Sequence, residues 1–409
     1  MRIGIYSDVG PRHGGVSQYA GMVLEALAGW GARHPDDELT LFAPASAQAA
    51  AQREGATYLR LAHQPLPQRA ASWLREHTRS PGMRRALQVA NGWRRETLPP
   101  KGRIDAGASR WIRSHGTELL FFPSVTRLAV ETDVPSIIAV HDIQHRLQPH
   151  FPEYSPAGLW EELEYTLTRA AAGDALLVAE SETGREDLLR AYTSHGLTPD
   201  RVMVVPYGVP SSVRGRELGE AAQLVRQKFS LPARFLFYPA LFLPHKNHVA
   251  LVEALGIIGR RYAVRPTLVL VGDNGAGLRA DTFRDVMETA RRVGVEDQLR
   301  YLGYVGDEEL GGLFAAADLM VMPSYFGPTN LPILEAWGAG CPVLTSDLRG
   351  IREMCGDAAL LVDPAAVDDL AEALAALWVD AGARAALVAR GTVRVACFSP
   401  ERYRDALFG

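Results

Sequence analysis

Four stretches of this chain bring together residue types that could bind an anion or a polyol. In 320-MVMPSYFGPTNLPILEAWGAGCPVLTS-346 an apolar run ends at Pro323-Ser324, and a Gly/Pro/Thr/Asn loop follows. Pro332 then opens a run of helix formers, and a second apolar run starts at Cys341. Read as strand, loop, helix and strand, the stretch puts Thr329 or Asn330 at a helix N-cap, where free backbone N–H groups favour an anion. Glu335 is expected in the first turn, near the positive end of the dipole. There a carboxylate stays ionised and accepts hydroxyl hydrogen bonds, a description that a ribose 2′,3′-diol fits. Stabilisation of the dipole alone is the plainer alternative.

The second stretch, 240-ALFLPHKNHVALVEAL, sets Lys246 at the start of a helix just beyond Pro244. A lysine there is slightly unfavourable unless something anionic compensates it; a solvated surface lysine is the alternative. In 10-GPRHGGVSQY, Gly14 and Gly15 would let backbone N–H groups face a phosphate or a sugar, or would simply make a tight turn. The fourth stretch, 271-VGDNGAG, is good turn chemistry and reads as only that.

The elements that must hold these residues are legible as alternating apolar strands and amphipathic helices. Six strand-like runs precede residue 208 (3-IGIYS, 39-LTLFA, 119-LLFFP, 136-SIIAV, 175-ALLVA, 202-VMVVP). Six follow residue 215 (235-FLFYP, 267-TLVLVG, 299-LRYLG, 319-LMVMP, 342-PVLTS, 359-ALLVD). Near-continuous apolar strands between helices predict parallel sheets covered on both faces, with ligands at the carboxyl ends of the strands. The expected α/β architecture is two doubly wound domains facing a cleft: 1–208, carrying a basic helical insertion at about 60–113, and 215–390. The segment 206-PYGVPSSVRG, with two prolines and two glycines, reads as the linker. Residues 391–409 are expected to form a helix, after a break at Ser399-Pro400, that crosses back onto the N-terminal domain.

Composition agrees with two soluble domains. The 409 residues are 47% hydrophobic and 22% charged, and no run of about 18 apolar residues suggests a membrane span. Three widely spaced cysteines, Cys341, Cys355 and Cys397, suggest neither a disulfide framework nor a metal knuckle, and a cytoplasmic setting is expected. Residues 60–113 hold twelve Lys/Arg against Glu76, Glu96 and Asp105. The segment therefore carries +9, and the rest of the chain must carry −13 to reach the total of −4. With Trp73, Trp93 and Trp111 among these arginines, the segment suits peripheral contact with an anionic membrane surface that carries an acceptor; helices packed on the sheet are the alternative. No nucleic-acid partner is expected.

Residues 299–364, together with GGVSQY, 140-VHDIQH, 180-ESETGREDLLRAY, VPYGVP and 244-PHKNH, resemble the family-4 retaining glycosyltransferases, which have the two-Rossmann-domain GT-B fold. The FGPTNLP loop resembles that of a bacterial subgroup. The resemblance implies a hexosyltransferase that uses a nucleotide-diphosphate sugar as donor and a carbohydrate or lipid-linked acceptor, in bacterial surface polysaccharide or glycolipid synthesis. By it, Glu335 holds the donor ribose. Lys246 neutralises the leaving diphosphate with N–H groups around Thr329, Asn330 and Leu331. Gly14 and Gly15 approach the phosphate and the transferring sugar, His141 reaches a sugar hydroxyl, and Tyr304-Val305 border the base. Two positions depart from the family pattern: Gly327 stands where a second glutamate is common, and Leu241 where an arginine is common. No Asp-x-Asp follows a strand, so neither a metal nor a cofactor is expected. A nucleotide-sugar epimerase of the same fold and a catalytically degenerate sugar-binding or partner subunit are the rival readings.

Overall fold

The computed structural model describes residues 1–7, 15–34, 36–43, 57–60, 104–154, 159–214 and 217–408. The chain divides into two compact units: Met1–Ala179 with Arg185–Met203, and Glu180–Gly184 with Val204–Gly409.

The first unit is built on a parallel sheet of strands β1 (Arg2–Tyr6), β2 (Glu38–Ala43), β3 (Thr57–Arg60), β4 (Leu119–Phe122), β5 (Ser136–Ala139), β6 (Leu176–Ala179) and β7 (Val202–Val204), ordered β3-β2-β1-β4-β5-β6-β7. Ile3, Gly4 and Ile5 of β1 pair with Leu119, Leu120 and Phe121 of β4, which sets the middle of the sheet. Gly4 has no room for a side chain, because a Cβ there would stand 2.8 Å from the Phe42 ring and 2.9 Å from Leu120. The core gathers Tyr6, Phe42, Phe122, Ile138, Leu167, Leu177 and Tyr192. Strand β3 was not expected. It is only four residues long and sits at the sheet edge, where TYLR carries no continuous apolar run.

The second unit's sheet contains β8 (Leu236–Pro239), β9 (Leu268–Val271), β10 (Leu299–Tyr301), β11 (Leu319–Met322), β12 (Val343–Ser346) and β13 (Leu360–Val362), in the order β10-β9-β8-β11-β12-β13. All six were legible, since β9, β11 and β12 are buried along their whole length. The chain runs outward from β8 through β9 to β10, then returns to β11 on the other side of β8. The connections leaving β8 and β11 therefore diverge, and that point of the carboxyl edge is where an α/β sheet opens a ligand crevice.

The segment read as the linker is largely buried: Val209, Pro210, Ser212 and Val213 are buried in the second unit. Residues 391–408 also group with the second unit, where a Cβ on Gly391 would stand 2.5 Å from the Trp337 ring. The Val209 N–H donates to the Phe398 carbonyl at 2.8 Å, tying the two segments together. The break before Pro400 and the helix Pro400–Phe408 are as expected.

Candidate donor site at the carboxyl edge of the second sheet

The site is assembled from the loops that leave β8 and β11. After Pro239 the chain makes one 3-10 turn, Pro244–Lys246, then passes through Asn247 at φ 59° into the helix His248–Tyr262. Asparagine tolerates this left-handed geometry, and its side-chain amide donates to the Pro364 carbonyl at 2.8 Å. The Lys246 backbone is pinned on both sides: its N–H donates to Leu243 O, and its carbonyl accepts from the Tyr238 hydroxyl at 2.7 Å. Lys246 thus precedes the α-helix by two residues and is half-buried.

Beside it lies His248, 2% exposed, with its ring between Phe242 and Tyr238, each at 4.6 Å. Neither ring nitrogen has a hydrogen-bond partner among the described residues. Burial, then the nearby Lys246 charge, pushes its pKa down to about 3, so the ring stays neutral and acts as part of an aromatic stack.

The loop after β11 is tied to this turn. Tyr325 N–H donates to His245 O at 2.8 Å, and the Ser324 hydroxyl donates to Phe326 O at 2.9 Å. The His245 ring stacks on Phe326 at 4.0 Å, and Ser346 Oγ donates to Ser324 O at 2.6 Å. These contacts hold the Lys246 turn and the 324–330 loop at one place on the sheet edge.

Within that loop Gly327 has φ 131°, a conformation that L side chains rarely adopt, and a Cβ on it would stand 2.7 Å from the Asn330 amide nitrogen. Asn330 is the N-cap of the helix Leu331–Gly338, yet its side chain makes no cap hydrogen bond; it packs on Gly327 instead. Asn330 thus takes the expected N-cap position without a side-chain cap bond. Thr329 Oγ1 is buried with no partner among the described residues, an arrangement that costs about 1–3 kcal/mol unless a ligand supplies one. The start of the next helix, Arg349–Cys355, closes on the loop from the side: a Cβ on Gly350 would meet Pro328 O at 2.3 Å.

Glu335 is the fifth residue of its helix, in the second turn rather than the first, because the helix already begins at Leu331. It is 2% exposed, and Ser212 Oγ donates to its Oε1 at 2.8 Å. Ser212 was missed because a Pro/Gly/Ser-rich stretch looks the same in sequence whether it hangs in solvent or is clamped. Tyr304 and Val305 follow β10, two strands from β8; Tyr304 is 53% exposed and Val305 is buried. A backbone hydrogen bond from Gly272 N–H to Gly303 O at 3.0 Å joins their loop to the exit of β9.

In the first unit, His141 leaves β5 with its Nε2 2.8 Å from the Pro123 carbonyl at the exit of β4, and the Tyr19 ring meets it edge-on at 4.8 Å. A carbonyl only accepts, so Nε2 carries the proton of this hydrogen bond. Gly15 opens the helix Gly15–Gly31 and is exposed, whereas Gly14 lies outside the described residues. The turn after His141 is anchored by Arg146, which bonds Glu164 and lies 4.5 Å over the Tyr192 ring. Burial opposes ionisation of Glu164, but Arg146 and the hydroxyls of Thr168 and Tyr192 outweigh it and hold the carboxyl down to about 2.

Comparison with known proteins gives the following likenesses. Residues 232–380 match the family model described as Glycosyl transferases group 1. The matched stretch contains both loops and the helix bearing Glu335. Among curated relatives, O-antigen chain mannosyltransferase B of Escherichia coli is 30% identical over 251 residues, covering 61% of this chain and 64% of that protein. D-inositol 3-phosphate glycosyltransferase of Salinispora tropica is 32% identical over 229 residues, 53% of this chain and 46% of that one. The chain thus spans less than two thirds of the length of these relatives. Solved structures show the fold: HepE of Anabaena, in complex with UDP and glucose, aligns with a TM-score of 0.70 at 18% identity over 100% of this chain and 98% of that one. WaaG, a glycosyltransferase involved in lipopolysaccharide biosynthesis, aligns at 0.69 with 15% identity over the whole of both chains. The two Rossmann-like units are those of the GT-B fold.

Proposed function

We propose that this chain is a retaining hexosyltransferase that moves a sugar from a nucleotide diphosphate to an acceptor hydroxyl. The observation that carries the reading is the convergence of the Lys246 turn and the Glu335 helix at the point where the second sheet's connections diverge. In this reading the C1–O bond to the diphosphate breaks, and Lys246 with the N–H groups of Thr329, Asn330 and Leu331 stabilises the negative charge that develops on the leaving oxygen. Glu335 accepts the ribose hydroxyls, and Val305 with Tyr304 borders the base. The departing phosphate takes the acceptor's proton on the same face as the new C1–O bond forms, so configuration is kept. Gly14 and Gly15 approach the phosphate, and His141 reaches a sugar hydroxyl. No metal is needed in this scheme, since the charge is met by Lys246 and backbone donors.

The sugar end of the donor is read by Thr329 and Asn330 in place of a carboxylate at position 327. This assignment rests on the buried Thr329 hydroxyl, which lacks a partner among the described residues, and on the Gly327–Asn330 packing. With the mannosyltransferase among the relatives, it favours mannose- or deoxyhexose-type donors, the FGPTNLP subgroup, and work on a bacterial surface polysaccharide or glycolipid. The basic segment 60–113, most of which lies outside the described residues, is assigned to the acceptor side at an anionic membrane. No described helix is long and apolar enough to cross a membrane. Equal recovery of the protein with neutral and anionic vesicles in flotation would remove that assignment.

The deciding assay offers purified protein a panel of nucleotide sugars with and without glycan acceptors. Acceptor-dependent release of nucleoside diphosphate, with the anomeric configuration of the product read by NMR, is the expected result. Release or interconversion without acceptor would mean an epimerase, and no turnover with any donor a degenerate subunit.

A further inference from the structure

We infer that Ser212 is a positioning residue for donor binding, orienting the Glu335 carboxylate toward the ribose; this rests on the ribose role proposed for Glu335. A glutamate's terminal torsion is broad and roughly two-fold, so a carboxylate does not set its own plane. Gripping two vicinal hydroxyls requires that plane to be fixed before the ligand arrives. One short, charge-assisted hydrogen bond from a rigid donor does this.

Ser212 is such a donor. It is 2% exposed, as is Glu335, and its Oγ lies 2.8 Å from Oε1. The backbone that carries it has little freedom. A Cβ on Gly311 would stand 2.5 Å from Ser212 O, and one on Gly338 would stand 2.7 Å from Val213 Cγ2. Two glycines on two helices therefore let the 209–213 loop press into the unit. The hydrogen bond from Val209 N–H to Phe398 O anchors its other end. Nothing in ordinary packing requires a hydroxyl here: alanine would fill the bend, but it would leave Oε1 without this donor.

The test compares binding of UDP and GDP with that of their 2′-deoxy counterparts by titration calorimetry, alongside donor kinetics. The parent is expected to prefer the ribo form of one of them about tenfold or more, and Glu335→Ala to lose that preference. Ser212→Ala should cut the ribo/deoxy ratio to about two- to threefold and raise donor KM about tenfold, with a much smaller change in kcat. Ser212→Cys, a near-isosteric and weaker donor, should fall between parent and alanine, and it serves as the test should the alanine variant fold poorly. A ratio kept in the Ser212 variants but lost in Glu335→Ala would show that the serine only packs. A ratio kept in Glu335→Ala as well, or absent from the parent, would instead overturn the ribose role of Glu335 and this inference with it.

Discussion

Restoring a side chain at position 327 should damage the protein in a way that position 330 can partly relieve. Gly327→Ala faces two separate costs. The first is backbone strain: a residue with a Cβ held at φ 131° pays about 1–3 kcal/mol. The second is a collision, because the new Cβ would lie 2.7 Å from Nδ2 and 2.9 Å from Oδ1 of Asn330. Relief requires the asparagine to leave its rotamer, at roughly 1 kcal/mol. Gly327→Ala alone should therefore cost about 2–4 kcal/mol, and Asn330→Ala alone about 1 kcal/mol. The double variant should cost less than the sum by about 1 kcal/mol, since the alanine at 330 removes the collision but not the φ strain. Urea unfolding of the four proteins, compared at a common m-value, measures this coupling. Additivity within about 0.3 kcal/mol would show that the two positions do not sense each other, and the account of why a glycine occupies 327 would fall.

The remaining expectations concern charge, a hydroxyl and pH. Lys246→Ala should lower turnover by hundreds-fold, about 3–4 kcal/mol of barrier, with little change in stability, because its backbone is held by Tyr238 and Leu243 whatever the side chain; steady-state kinetics within a few-fold of the parent would exclude the diphosphate role. Thr329→Val, which keeps the shape but removes the unpartnered hydroxyl, should stabilise the empty protein slightly and weaken donor turnover about tenfold; normal turnover in a donor assay would mean that the hydroxyl meets no ligand. His248 is neutral and buried, with a pKa near 3 against an ordinary 6.5, so the unfolded chain binds more protons between those values. Its contribution is complete above pH 6.5 and is lost as pH falls through that window, by up to ~1.4 kcal/mol per pH unit. His248→Phe should flatten the fall of urea midpoints between pH 6.5 and 5, and parallel pH profiles would refute this.

What could be read in the sequence tracks what the physics makes local. The strands of the second unit are continuous apolar runs because both of their faces are covered, and β9 and β11 announce themselves without any tertiary knowledge. Strand β3 owes its existence to pairing with β2 rather than to its own composition, so four residues of TYLR gave no signal. Lys246 and Glu335 were visible as charges out of place in apolar or glycine-rich surroundings, but the helix offset was not: whether Glu335 sits in the first or second turn depends on where the cap falls. Ser212 was invisible for a deeper reason. Its partner is 123 residues away, and the glycines that admit its loop, Gly311 and Gly338, lie on separate helices whose convergence no local pattern encodes.

The two kinds of site residue differ in what holds them, and this bears on how donor choice is divided along the site. Lys246 and Glu335 are fixed from outside their own segments, the first through the Tyr238 hydroxyl on β8 and the second through Ser212. A change in the 326–330 loop leaves both of these contacts in place. Gly327 and Asn330, in contrast, fix each other: the glycine makes room for the amide, and the amide fills the space a side chain would take. A side chain at 327 and the asparagine amide at 330 thus compete for one space. Exchanging one for the other alters the polar groups offered to the sugar without moving the groups assigned to the diphosphate and the ribose. In the proposed function, the departure at 327 therefore belongs to sugar selection. The nucleotide end should bind with the same residues whichever side chain takes that space.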